Sequence, residues 1–130
     1  GGLVNDILGK PAFTAATEET EVDLYLQTTA ELTGKPEGGT TAEVFAGAAW
    51  LGFKKCPPEV GPQLRIQYPD QPMDDRLLIG MEPIAGSDGD LYVFDVGRHG
   101  DDQWLSADCD YAGKVWDGNC RWVLFLLRHR

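Results

Sequence analysis

A histidine and several aspartates lie close together in the second half of the sequence, on a predicted hairpin loop and the strand after it. They are His99, Asp101, Asp102, Asp108 and Asp110. Imidazole nitrogens and carboxylate oxygens are the groups that a divalent metal or a general acid–base pair requires. Gly and Asp are also common in such loops because they satisfy turn geometry. A metal-assisted or carboxylate-based hydrolase that uses His99, Asp101, Asp102 and Asp108 is therefore an alternative function.

Aromatic residues are interspersed with carboxylates in the same half of the chain. Ring faces attract organic cations, and a neighbouring carboxylate neutralises them, so the combination suits a pocket for a cationic or aromatic ligand. Trp and Tyr also commonly serve as core residues. The residues predicted to line such a pocket are Trp104, Trp116, Tyr92, Asp95 and Asp108.

The sequence lacks the signatures of nucleophilic and nucleotide chemistry. It has no Gly-x-Ser-x-Gly, no phosphate loop, no dinucleotide Gly motif and no His-Glu-x-x-His. Ser87 and Ser106 have no base beside them, and Cys109 lies between Asp108 and Asp110, whose charges disfavour a thiolate. No cofactor is predicted.

The three cysteines, Cys56, Cys109 and Cys120, are odd in number and contain no Cys-x-x-Cys pair. This usage fits reduced thiols in a cytosolic protein better than a disulfide framework or a zinc site. A Cys109–Cys120 bridge across a hairpin is the remaining alternative. The expected location is the cytoplasm.

The charge is strongly acidic, with 11 basic and 21 acidic side chains and a formal net charge of −10. Segment 87–118 holds eight aspartates against Arg98 and Lys114. Such a chain repels phosphate backbones, which argues against nucleic acid as a partner. Its longest apolar run, 122–127, is too short to span a bilayer, so no membrane partner is expected. A small organic cation or a basic protein is the predicted partner.

The 130 residues predict a single domain, 1–130, whose first half is helical. Thr40 and Glu43 form a capping box that starts a helix running to about Lys55. Segment 18–33 has both an acidic first turn before apolar residues at helical spacing and a strand-like alternation. Helix is preferred there, and strand remains the alternative.

From residue 63 onward the apolar period changes to two, which predicts consecutive strands. They lie near 63–68, 76–83, 90–97, 103–107, 113–117 and 120–128. Asp88-Gly89 and Asp117-Gly118 favour tight turns between them. The predicted fold is α+β: an antiparallel, strongly curved meander of five to six strands in the second half, with one face covered by two N-terminal helices.

The last predicted strand has two apolar faces, one with Trp122 and Leu124 and the other with Val123 and Phe125. If both helices cover one face, the second face requires a curled sheet around a pocket, a second subunit, or cover from the N-terminal segment or a long loop. This pattern is the reason for expecting a homodimer.

In size and acidity the chain resembles the small proteins found on bacterial mobile gene cassettes, and small immunity proteins, although no shared motif transfers residue roles. The leading hypothesis is a non-enzymatic binding protein, a homodimer, that engages a small cationic or aromatic ligand or a basic protein surface. The hydrolase above is one alternative. An immunity-type or nucleic-acid-mimic antagonist of a basic protein is the other.

Overall fold

The computed structural model describes residues 2–10, 13 and 22–127, and the fold is α+β. In chain order its elements are α1 (Gly2–Leu8), β1 (Val22–Thr28), α2 (Thr29–Thr33), β2 (Gly38–Gly39), α3 (Thr41–Trp50), α4 (Val60–Gln67), β3 (Arg76–Ile79), β4 (Ile84–Ala85), β5 (Leu91–His99), β6 (Asp102–Asp110), β7 (Trp116–Asp117) and β8 (Arg121–Leu127).

The segment 18–33 is not one helix. Its described part forms β1 and then the single turn α2, because pairing along the whole of β8 exploits the alternation of residues 22–28. Thr28 ends the strand and caps the helix in a capping box with Glu31. Gly34, in the left-handed conformation, ends α2. The acidic residues before Val22 lie outside the described residues.

Helix α3 confirms the start predicted from the capping box, but it ends at Trp50 and does not continue to about Lys55. The Thr40 side chain accepts a hydrogen bond from the Glu43 amide, and the Glu43 carboxylate accepts one from the Thr40 amide. Gly47 lies against the backbone carbonyl of Leu32, where a Cβ would collide. Helices α2 and α3 therefore pack closely, and this contact depends on glycine.

The strand predicted at 63–68 is wrong, because this segment lies in α4. Pro57 and Pro58 precede the helix, whose first residues, Val60 and Gly61, are buried, and Gly61 lies against the Phe94 side chain. The apolar alternation did not reflect burial, since Ile66 is 72% exposed.

The strands do not form a meander. β8 pairs antiparallel with β1 and parallel with β3, and β3 continues antiparallel to β5. β6 pairs along the full length of β5, and β4 pairs with the beginning of β5. β2 and β7 form a separate two-stranded sheet. The main sheet is therefore mixed, with mostly antiparallel strand pairs. The sheets among the described residues are open.

Helices lie on both faces of the main sheet, so the predicted cover of one face by two N-terminal helices is not confirmed as the whole arrangement. On one face the Trp122 ring packs against Trp116 and Phe45 and donates to Thr29 Oγ1 at 2.9 Å. On the other face, Phe94 packs against Phe13 and Gly61 of α4.

Helix α1 adds to the cover of the Phe94 face. It contacts β6, and its buried Val4 and Ile7 join the core. The apolar second face that motivated the homodimer is therefore covered from within the chain, by the N-terminal segment and α4. None of the helices in the described ranges is long and apolar enough to cross a membrane.

Candidate functional site

A buried aspartate on β5 is the centre of a polar network on the face of the sheet that also carries Trp122. Asp95 lies directly opposite Ser106 in the β5–β6 register and is 1% exposed. Ser106 Oγ donates to Asp95 Oδ2 at 2.7 Å, and Trp104 Nε1 donates to Asp95 Oδ1 at 2.8 Å. Gly97, opposite Trp104, leaves room for the indole, because a Cβ there would collide with the ring. The hairpin register thus gives Asp95 two fixed donors.

Asp108 is the second carboxyl group of this network, and its side chain hydrogen-bonds to Asp95. Burial first and the adjacent Asp95 second raise the pKa of Asp108 to about 7, against the lowering effect of Arg76. Burial also acts to raise the pKa of Asp95, but hydrogen bonds from Asp108, Ser106 and Trp104 outweigh it and lower that pKa. Asp108 therefore gains or loses its proton around neutral pH, whereas Asp95, whose pKa is lowered, is ionised there.

Arg76, the first residue of β3, carries the positive charge of the network. Its Nη2 lies 2.7 Å from Asp108 Oδ2 and 3.8 Å from Asp95 Oδ2. The Arg76 side chain is 42% exposed and that of Asp108 is 25% exposed, so both reach the surface, whereas Asp95 does not. We call Asp95, Asp108, Arg76, Ser106 and Trp104 the carboxyl network.

An open depression of about 380 Å³ adjoins the carboxyl network, at the point where the parallel strands β3 and β8 begin. Arg76 belongs both to the carboxyl network and to the lining of the depression. The residues that line the depression come from just before and at the start of these strands: Asp74, Asp75, Arg76, Asp117, Asn119, Cys120 and Arg121. Parallel pairing of Leu77 with Arg121 brings the two segments together.

Two of the three lining aspartates are already paired. The buried Asp75 forms an ion pair with Arg121, and Asp74 Oδ1 lies 2.7 Å from His99 Nδ1. Asp117 is exposed and accepts a hydrogen bond from the Asn119 amide at 2.9 Å. No cationic side chain of the described residues lies within ion-pair distance of Asp117.

The structure brings together three of the five residues predicted to line a ligand pocket, namely Trp104, Asp95 and Asp108. Tyr92 lies on the opposite face of the sheet, where its hydroxyl donates to Asp88. Trp116 is buried in the core and donates to Thr41 Oγ1 at 2.8 Å. The five residues therefore do not line one pocket.

The Asp/His loop does not converge on Asp108. His99 faces Asp74, and Asp101 and Asp102 are exposed at the tip of the β5–β6 hairpin. Among the described residues, no group of three or more His, Cys, Asp or Glu side chains is arranged to hold a metal ion.

Sequence reasoning missed Arg76, Arg121, Asp75 and Asp117. Their grouping depends on the parallel β3–β8 pair, which no local pattern indicates. The only signal available was charge, since charged residues stand immediately before or at the start of two predicted strands.

The cysteines contribute little to this chemistry. All three are free, and the Cys109–Cys120 bridge is not formed. Burial raises the pKa of Cys56 to about 12 and also raises that of Cys120, which lines the depression. A raised pKa keeps a thiol protonated and unreactive at neutral pH.

Comparisons of the chain with protein-family models, curated proteins and solved structures found no match.

Proposed function

We propose that this protein is a binding protein whose depression at the start of β3 and β8 takes a cationic group, a guanidinium or an alkylammonium. The group is presented by a small molecule or by a basic protein segment. The observation that carries the proposal is Asp117, the lining carboxylate without a cationic partner among the described residues. A cation seated against Asp117 gains a charge-assisted hydrogen bond.

The surroundings of the depression add negative charge. The contact between Asp74 and His99 places the hairpin tip, with Asp101 and Asp102, beside the depression. The net charge of −10 adds a long-range field that attracts cations. A basic protein segment could engage the depression and the tip together, whereas a small cation would engage the depression alone.

The two arginines leave the depression acidic. Arg121 is neutralised by Asp75, and Arg76 by the carboxyl network, in which Asp95 is ionised. Ionisation of Asp108 near pH 7 adds a further negative charge next to Arg76. Binding of a cation should therefore strengthen as the pH rises from 6 to 8.

Replacement of Asp117 by Asn tests this proposal, because the amide oxygen can still accept from the Asn119 amide while the charge is removed. With a tetra-arginine peptide as probe, we expect the Kd of Asp117→Asn to rise about three- to tenfold. Asp90→Asn is the matched control, since Asp90 is an exposed aspartate at the opposite end of β5. Isothermal titration calorimetry at low and moderate salt would measure both.

An equal rise in the Kd for the peptide in Asp117→Asn and Asp90→Asn would contradict the proposal, because it would mean that only the overall charge of the protein matters. Titration of arginine amide separates the two sources of the cation. Similar affinities for arginine amide and the peptide favour a small ligand. Much tighter, strongly salt-dependent binding of the peptide favours a basic protein partner, as in an antagonist of such a protein.

The carboxyl network favours a second candidate, a metal-independent acid–base hydrolase. Two carboxyl groups whose pKa values are pushed apart are a common arrangement for acid–base chemistry, and Asp108 is the accessible one. Asp108 would then donate or accept the proton, while Asp95 would hold the Asp108 carboxyl group in position. The residues differ from the predicted Asp/His loop in all but Asp108.

A screen of chromogenic esters, glycosides and phosphates in the presence of a chelator tests this candidate. Any activity that depends on the network should fall at least about 100-fold in Asp108→Asn and stay unchanged in Asp90→Asn. Activity that survives in Asp108→Asn would contradict the assignment of Asp108.

A further inference from the structure

The strand β1 presents an exposed apolar edge to solvent. In the described ranges, β8 pairs with one edge of β1 and no strand pairs with the other. Leu24, Tyr25 and Leu26, at its centre, are 39%, 39% and 45% exposed. Bulges, Lys and Pro are features that usually protect an edge strand from pairing with another chain. β1 has none of them, since its seven-residue pairing with β8 contains no bulge and its sequence contains no Lys or Pro.

We infer that β1 pairs antiparallel with β1 of a second copy of this protein, about a two-fold axis through Tyr25. This register places Tyr25 opposite Tyr25, Leu24 opposite Leu26 and Asp23 opposite Gln27. Apolar residues thus meet apolar residues, and the one charged residue meets an amide. The inference is independent of the proposed cation site.

The aromatic residue at the axis is already held in place within each copy. The Tyr25 ring packs on the Phe53 ring with centroids 5.3 Å apart, on the face of the sheet that carries Leu124. The two Leu24–Leu26 pairs would lie on the opposite face. Cross-strand aromatic and aliphatic pairs of this kind stabilise antiparallel sheets, and the pairing joins the two main sheets into one.

The opposite edge of the main sheet, β6, is unsuited to the same pairing. A symmetric antiparallel pair centred on Ser106 would place Asp102 of one copy opposite Asp110 of the other. Like charges directly opposite each other destabilise a sheet. In addition, two backbone carbonyls of β6 already accept hydrogen bonds from side chains. The Trp104 carbonyl accepts one from Arg65, and the Cys109 carbonyl accepts one from Lys114. Of these two edges, β1 is the one whose self-pairing opposes apolar residues and places no like charges opposite each other.

Disulfide trapping tests the register, because a residue on a two-fold axis faces itself. In a Cys109→Ser/Cys120→Ser background, where the remaining Cys56 is buried, we expect Tyr25→Cys to cross-link into dimers under mild oxidation. Directly opposed Cβ atoms lie about 4.5–5.5 Å apart, close to disulfide geometry. Leu24→Cys, one residue away, should cross-link at least about fivefold less, since it faces Leu26.

Sedimentation equilibrium of the wild-type chain tests the association itself. The mass should rise with concentration from 14.3 kDa towards twice that value, with a Kd of about 10–100 µM, as befits a small interface. Leu26→Lys should return the mass to the monomer, while Ile66→Lys, at an exposed position on α4, should not. A monomer at all concentrations up to about 0.5 mM, or equal cross-linking of Tyr25→Cys and Leu24→Cys, would overturn the inference.

Discussion

Replacing Asp95 by Ala is expected to lower the free energy of unfolding by about 3 kcal/mol. The substitution leaves the Trp104 indole N–H and the Ser106 hydroxyl without their acceptor in a largely desolvated place. It also removes the hydrogen-bond partner of Asp108. Chemical denaturation at pH 7 would measure the loss.

Two further variants show whether this loss arises from the carboxyl network. Ser106→Ala removes a single donor to Asp95 and should cost about 1 kcal/mol. Asp90→Ala, at an exposed turn position, should change stability by less than about 0.5 kcal/mol. A loss below about 1 kcal/mol for Asp95→Ala would show that Asp95 is not the organising group of the network.

Asp108→Asn is expected to remove a large pH dependence of stability. The pKa of Asp108 is raised to about 7 in the folded protein, by burial first and by Asp95 second. Between pH 4 and 7 the folded state therefore binds more protons at this group than the unfolded state does, so its contribution to stability falls as the pH rises through that window. The expected fall is on the order of 2 to 4 kcal/mol, complete by about pH 8.

The lowered pKa of Asp95 acts in a different window. It contributes stability that is lost only below about pH 4, as the pH falls towards its folded-state pKa, so the two effects are separable. Asn at position 108 can donate to Asp95 at every pH, so denaturation curves of Asp108→Asn at pH 5 and pH 8 should differ by much less than those of the wild type. If the free energy of unfolding fell equally between pH 5 and pH 8 in the wild type and in Asp108→Asn, another group would be responsible for the pH dependence.

Local sequence patterns predicted the elements whose signals are local. The Thr40–Glu43 capping box predicted the start of α3, and the same pattern in Thr28 and Glu31 begins α2. The β5–β6 hairpin followed from its turn residues, and its register explains why Asp95 and Ser106 meet. Trp104, Asp95 and Asp108, all chosen from sequence, therefore lie together.

Elements that depend on distant partners could not be predicted in this way. Val22, Leu24 and Leu26 alternate like a strand, but only the pairing with β8 decides between strand and helix. The alternation of Leu64 and Ile66 is equally regular, yet this segment is helical, and the start of the helix is buried where Gly61 lies against Phe94. An alternating pattern reports a strand only where a neighbouring strand is available.

The depression illustrates the same limit for the candidate site. Arg76 and Arg121 are far apart in sequence and become neighbours because β3 pairs parallel with β8. A meander of consecutive hairpins contains no parallel pair, so the predicted topology could not place these residues together. The predicted site accordingly combined hairpin residues with Trp116 and contained neither arginine.

Chemical-shift mapping by NMR is the most direct test of the proposed cation site. Titration of tetra-arginine peptide into the labelled protein at pH 7.5 should perturb the amides of Asp74 to Arg76 and Asp117 to Arg121 most strongly, with weaker effects at the Asp101–Asp102 tip. Asp117→Asn should reduce these perturbations. Shifts of equal size around Asp88 and Asp90, or unchanged shifts in Asp117→Asn, would show that the depression is not the binding site.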